Sequence, residues 1–74
     1  MRTIRKEALA HLRQTYPAGT RVELVSMDDP QAPPPGTRGT VVGVDDIGTI
    51  HVSWDNGCGL GVAYGADACR RVEG

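Results

Sequence analysis

Aromatic residues are scarce in this sequence, which has no phenylalanine, one tryptophan and two tyrosines. Its two cysteines are too few for the disulfide framework of a small secreted domain. No apolar run approaches the roughly 20 residues that span a bilayer, and residues 1–14 lack the apolar core of a secretory signal. We therefore expect a cytoplasmic protein with reduced thiols and no membrane partner.

Glycine and proline are abundant by contrast, with ten and five residues in a chain of 74. This composition indicates many turns between short elements, and the 39% apolar content is enough for a folded core. A domain of this size rarely gains more than about 3–5 kcal/mol of net stability from its core. We expect one small domain for which a ligand or self-association matters, and we expect a homo-oligomer.

Charge is distributed unevenly along the chain. Residues 1–13 carry four basic residues and one acidic residue, whereas residues 14–74 carry four basic and eight acidic residues. The acidic field of the larger segment opposes the binding of any polyanion. Nucleic acid is therefore not an expected partner of the main body.

The N-terminal segment, residues 1–16, is predicted to form an amphipathic helix over residues 3–15. Its apolar side chains recur at the spacing of one helical face, Thr3 is the predicted N-cap, and Pro17 and Gly19 end the helix. The apolar face and the basic edge beside it are predicted to bind a partner. These residues are Ile4, Ala8 and Leu12 on the face, and Arg2, Lys6 and Arg13 on the edge.

Residues 20–73 are predicted to form a mainly β domain. The predicted strands are residues 21–25, 39–45, 49–54, 58–63 and 69–72. A long proline-rich loop joins the first two strands, tight turns join the middle ones, and a short helical turn precedes the last. This order is typical of a small five-stranded SH3-like barrel, here preceded by the helix.

The segment SWDNGCGLG, residues 53–61, decides the register of the third and fourth strands. A two-residue turn would put the apolar residues of the two strands on opposite faces. A three-residue turn with Gly57 in the left-handed conformation puts them on one face, so we predict that turn and a buried Trp54. The predicted pairs are Trp54 with Cys58, Val52 with Leu60, and Ile50 with Val62.

The same register points Gly59 and Gly61 outward beside His51 and Ser53. No helix follows these glycines, so the segment does not fit a phosphate-binding loop. Two interpretations remain open: the glycines permit the curvature of the sheet, or they allow close approach of a ligand or a second chain.

The stretches YPAGTRVELVSMDDP and PPPGTRGTVVGVDDIGTIHVSWDNG resemble the domain-of-unknown-function family 4314. The resemblance covers residues 16–73 and leaves the helix mostly outside. It implies a cytosolic bacterial protein associated with phages or other mobile elements, without an assigned enzymatic activity. The family has no established function, so the resemblance implies no role for individual residues.

Catalysis and metal binding are weakly supported by the sequence. The available nucleophiles and bases are His11, His51, Cys58 and Cys69, and no spacing joins them into a nucleophile, a base and an orienting group. The two cysteines lie eleven residues apart with no CxxC and no paired histidines. We expect no enzyme, no metal and no cofactor.

An anion site is the sharpest functional hypothesis, and it centres on PPPGTRGT, residues 33–40. The amides of Gly36, Thr37 and Arg38 are predicted to converge on an anion, and the guanidinium of Arg38 supplies charge. One of the two arginines on the last strand reaches the same surface. The alternative is a stiff loop in which Arg38 pairs with Asp28 or Asp29. The predicted ligand-binding residues are Gly36, Thr37, Arg38, His51, Ser53, Gly59, Gly61 and Arg70.

Three functions follow as alternatives. The first is a non-enzymatic binding module that sequesters a small anionic nucleotide-type ligand, such as a host defence signal. The second is an adaptor or inhibitor that binds a host protein through the acidic barrel and the helix. The third is weak nucleic-acid binding through the basic edge of the helix.

Overall fold

The computed structural model describes residues 4–73, in which one helix precedes five strands. The helix is α1 (Lys6–Thr15), and the strands are β1 (Arg21–Ser26), β2 (Arg38–Val44), β3 (Thr49–Trp54), β4 (Val62–Ala63) and β5 (Ala68–Arg71). The predicted mainly β architecture with an N-terminal helix is confirmed. No helix in this part of the chain is long and apolar enough to cross a membrane.

The five strands form one antiparallel sheet in the order β4-β3-β2-β1-β5, so the last strand pairs with the first. Within residues 4–73 no hydrogen-bonded ladder joins β4 to β5, and the sheet is open between them. The closed form of the predicted barrel is therefore not confirmed. The turn that joins these two strands is helical, because the amides of Ala66 and Asp67 both donate to the carbonyl of Ala63.

The core is built from alternate residues of the strands. Along β1 and β3, buried apolar residues alternate with more exposed polar ones, as expected for a sheet with one face packed. Trp54 is 2% exposed, which confirms its predicted burial. The buried apolar residues are Val22, Leu24, Val41, Ile50, Val52, Trp54 and Val62.

The β3–β4 hairpin has the predicted three-residue turn. Gly57 has a φ of 91°, and the amide of Trp54 donates to the carbonyl of Cys58 at 2.9 Å. Ile50 pairs with Val62 as predicted. The fourth strand, Val62–Ala63, is shorter than predicted, and the predicted Val52–Leu60 pair is not part of its ladder. The Leu60 carbonyl instead accepts a hydrogen bond from the indole Nε1 of Trp54 at 2.8 Å.

The helix begins at Lys6, three residues later than predicted, and Arg2 and Thr3 lie outside the described residues. Arg5 holds the N-cap position without a side-chain capping bond. No residue of α1 is fully buried, and its apolar side makes partial contact with the sheet. Leu12 and Tyr16 pack against the core.

Candidate functional site

Polar side chains from four strands share the solvent side of the sheet. Because successive residues of a strand face opposite sides, the neighbours of the buried valines and leucine on β1 and β2 point outward. We call this surface the outer face. It is formed by Arg21, Glu23, Arg38, Thr40, Ser53, Asp55 and Arg70.

Glu23 lies at the centre of the outer face, opposite Arg38 on β2 and Arg70 on β5. Arg70 donates from both Nε and Nη2 to Glu23 Oε2, at 3.2 and 3.0 Å. The Nε of Arg38 lies 3.6 Å from Glu23 Oε1, which is an ion-pair distance but too long for a hydrogen bond. Glu23 is thus held mainly by Arg70.

A second ion pair, between Arg21 and Asp55, lies beside the first. Two guanidinium nitrogens of Arg21 donate to the two carboxylate oxygens of Asp55 at 2.9 and 2.6 Å, and one of them also donates to the hydroxyl of Thr40 at 2.9 Å. The bonds from Arg21 hold the pKa of Asp55 below its usual range, and the charge of Arg38 contributes to this shift. Asp55 is therefore an ionised carboxylate with both oxygens bonded to Arg21.

Arg38 is the least engaged cation of the outer face. Its side chain is 51% exposed, and its guanidinium makes no hydrogen bond to the residues that the structure describes. It lies between two carboxylates, Glu23 and Asp55, each bonded to another arginine. With three arginines and two carboxylates, the outer face carries one positive charge in excess.

The sequence comparisons place this sheet in a family. Residues 5–72 match the model of a domain of unknown function, DUF4314. The chain belongs to the DUF4314 family. The match includes α1, so the prediction that the helix lies mostly outside the resemblance was wrong. No curated protein and no solved structure matches the sequence.

The predicted anion loop of this DUF4314 domain is differently arranged. The amide of Gly36 donates to the Leu24 carbonyl at 2.8 Å, and the amide of Thr37 donates to the Pro34 carbonyl at 3.1 Å. Both amides are thus used in hydrogen bonds within the protein, at the end of the loop that joins β1 to β2. The prediction that they converge on an anion was therefore wrong. The alternative pairing of Arg38 with an aspartate of the loop was also wrong, because Glu23 is its ion-pair partner.

The predicted ligand-binding residues are only partly brought together. Arg38, Ser53 and Arg70 share the outer face, whereas the loop glycines lie elsewhere. Gly59 is exposed, and a Cβ there would meet open space. A Cβ on Gly61 would lie 2.5 Å from the side chain of Thr49, so close packing accounts for this glycine. Glu23, Arg21 and Asp55 complete the site and were not predicted.

His51 lies on the same side of β3 as Ser53 but bonds to the β2–β3 turn. Its Nε2 lies 2.9 Å from Asp45 Oδ2. Asp45 Oδ1 also accepts hydrogen bonds from the amides of Ile47 and Thr49, at 3.1 and 2.9 Å. The hydrogen bond from His51 is the largest of the effects that lower the pKa of Asp45, followed by the amide of Thr49.

This carboxylate makes the stability of the domain depend on pH. A pKa that is lower in the folded than in the unfolded state stabilises the fold above the unfolded value, and the stabilisation is lost as pH falls through the folded value. We expect the free energy of unfolding to fall below about pH 4. In Asp45→Asn, the free energy of unfolding should fall less steeply with decreasing pH, and the remaining fall should be due to Asp55. Urea titrations between pH 2.5 and 6 measure both profiles, and identical slopes in wild type and variant would contradict the assignment.

The predicted partner-binding edge of the helix is partly occupied within the domain. Arg13 donates to Asp46 Oδ1 at 2.7 Å, while Lys6 is exposed. Ala8 is half-buried, and Ile4 lies against Gly48 near Tyr64. The helix therefore docks on the β2–β3 turn, and its apolar side is only half covered.

Both thiols are free and half-buried. Cys58 and Cys69 pack against the core, and burial raises the pKa of Cys69. Among residues 4–73, no group of three histidine, cysteine or acidic side chains is arranged to hold a metal ion. The thiols contribute apolar surface to the packing of the domain.

Proposed function

We propose that this DUF4314 protein is a non-enzymatic binding module that takes an anionic, nucleotide-type ligand on the outer face of its sheet. The observation that supports it is the state of Arg38. Its guanidinium is exposed and free of hydrogen bonds to the described residues, and it lies on a face with one excess positive charge.

The geometry of a guanidinium suits a phosphate group. Its N–H donors form a planar fork that binds two phosphate oxygens at once, which makes such contacts stronger than neutral hydrogen bonds. Arg38 and Arg70 are separated by the width of β1, which places their Cα atoms about 10 Å apart. Ser53 on β3 adds an exposed hydroxyl.

The carboxylates on either side of Arg38 set the expected strength of binding. Glu23 and Asp55 repel an incoming anion, although each is already bonded to an arginine. The site is also exposed, so its electrostatic attraction is screened by salt. We expect modest affinity that decreases as ionic strength rises.

Isothermal titration with a panel of cyclic and linear nucleotides, with inorganic phosphate as the reference ligand, tests this proposal. We expect binding of at least one nucleotide at low salt. Arg38→Ala should weaken it by about 10-fold or more, because a charge-assisted hydrogen bond contributes about 1.5–3 kcal/mol. Glu23→Gln should strengthen it several-fold, since it removes the nearest repelling charge.

The matched control is Arg13→Ala, which removes an exposed arginine that pairs with Asp46 on the helix side of the domain. This variant should bind like wild type. If a folded sample shows no heat of binding with any of the nucleotides, the proposal is wrong. Binding that Arg38→Ala and Arg13→Ala weaken equally would show a general charge effect and no site on the outer face.

The biological setting is itself part of the proposal, and it follows what the resemblance of the sequence implies about phages and other mobile elements. A small bacterial protein of this kind, encoded by a phage or another mobile element, would sequester a nucleotide signal in the cytoplasm of its host. Sequestration requires binding without turnover, and at modest affinity it also requires the protein to be in excess over the signal. Recovery of the nucleotide unchanged after denaturation of the complex would support it, and recovery of a cleaved product would contradict it.

A further inference from the structure

A cavity of about 280 Å³ lies where the sheet is open. Leu12 of α1 and Tyr16 at its C-terminal end form one side, Val62 of β4 and Cys69 of β5 form the flanks, and Ile50 contributes from the core. A cavity of about 150 Å³ with apolar walls is large enough to bind benzene. The space between α1 and the open sheet therefore has room for a large apolar side chain.

The free edge of β5 runs beside this cavity. The amide of Val72 donates to the Arg21 carbonyl, and Glu23 pairs with Arg70 in the same register. Because backbone groups of an antiparallel strand alternate in direction, those of Arg70 point to β1, and those of Cys69 and Arg71 point to the open side. There the Cys69 carbonyl accepts a hydrogen bond from the Tyr16 hydroxyl at 3.4 Å, and Arg71 is the residue of β5 with open backbone groups beyond it. Such an edge is a template for pairing with another extended chain.

Arg71 is a cation without an ion-pair partner among residues 4–73. It is two residues after Cys69 and hence on the same side of β5, which is the side of the cavity. Burial is the largest effect on the Tyr16 hydroxyl and raises its pKa, while the nearby charge of Arg71 acts in the opposite direction. Arg71 thus lies on the cavity side of β5, near enough to Tyr16 for its charge to act on that hydroxyl.

Asp67, the acidic residue that lines the cavity, makes no ion pair with Arg71. Asp67 accepts the amide of Asp28 at 2.9 Å with one oxygen and the amide of Ala63 at 3.0 Å with the other. Its carboxylate is thereby used to fix the turn before β5. Within the described residues, the open edge combines backbone groups that no other strand pairs with, an apolar cavity and a positive charge without an ion-pair partner.

We propose that the open edge of β5 binds an extended, acidic segment of a partner protein. One large apolar side chain of the segment fills the cavity, and a carboxylate two residues away along the segment pairs with Arg71. The spacing follows from the two-residue period of a strand, which brings alternate side chains to one face. The charge of Arg71 favours an acidic segment over a basic one.

Peptide selection on the immobilised full-length chain tests this inference. From a library of random extended peptides displayed on phage, we expect enrichment of sequences with a large apolar residue and Asp or Glu two positions away. In titrations with a selected synthetic peptide, Arg71→Glu should lower affinity at least tenfold. Arg71→Lys keeps the charge and should retain most of the binding.

Two further measurements separate the site from a general loss of structure. Ala63→Phe, which fills the cavity from β4, should weaken the same peptide while the melting temperature stays close to that of wild type. A peptide in which lysine replaces the acidic residue should bind the Arg71→Glu variant more tightly than it binds the wild-type protein. Three results would overturn the proposal. They are selected peptides that lack this pattern, peptide binding that Arg71→Glu leaves unchanged, and a dimer in which a second copy of the chain occupies this edge.

Discussion

Replacement of Trp54 by alanine is expected to leave the domain largely unfolded at 25 °C. Trp54 is the largest buried side chain and is only 2% exposed. Truncation of a buried tryptophan to alanine costs about 3–5 kcal/mol. A core of this size rarely provides more than about 3–5 kcal/mol of net stability, so the loss is as large as the whole stability of the domain. The variant also loses the indole hydrogen bond to the Leu60 carbonyl.

Urea denaturation followed by circular dichroism measures the effect of Trp54→Ala. The matched control is Tyr64→Ala, because Tyr64 is also aromatic but is 47% exposed at the rim of the sheet. We expect this control to lose about 1 kcal/mol or less. Equal losses in the two variants would show that the core does not depend on Trp54.

The position of Trp54 is a part of the structure that the sequence predicts well. The alternation of apolar and polar residues in β3 and the glycine in the following turn are both local signals. Only one register of the turn places the apolar residues of the two strands on the same side. The structure has this register, with Ile50 paired to Val62.

The length of β4 could not be predicted from the same signals. Backbone pairing along residues 58–61 competes with the indole of Trp54, which takes the Leu60 carbonyl. The geometry of a buried side chain decides this competition, and the alternation of residue types carries no information on it. The short β4 contributes to the gap beside β5, and the cavity lies in that gap.

The composition of the outer face could not be predicted from the sequence either, although Arg38, Ser53 and Arg70 were predicted individually. Glu23 and Arg70 are 47 residues apart, and only the pairing of β5 with β1 brings them together. Counting charges over residues 14–74 indicates an acidic body. The fold gathers three of its four arginines on one face, where the local balance is positive.

Gly39→Ala is the second substitution expected to cause a large loss. Gly39 pairs with Trp54 across β2 and β3. A Cβ at this position would lie 2.6 Å from a methyl group of Val52, 2.8 Å from the Ser53 carbonyl oxygen and 2.9 Å from the indole of Trp54. One of these contacts is backbone, so a side-chain movement alone cannot relieve it. Overpacking of this kind costs about 1–3 kcal/mol.

Gly43 provides the matched control because it lies in the same strand and a Cβ there would meet no atom within 4 Å. Gly43→Ala should change the free energy of unfolding by about 0.5 kcal/mol or less. Urea titrations of the two variants measure the difference directly. A loss at Gly39 no larger than the loss at Gly43 would mean that β2 and β3 can separate without cost. Trp54 would then not be fixed by its pairing with β2, and Arg38, which β2 carries on the opposite face, would lose its fixed distance from Arg21 and Arg70.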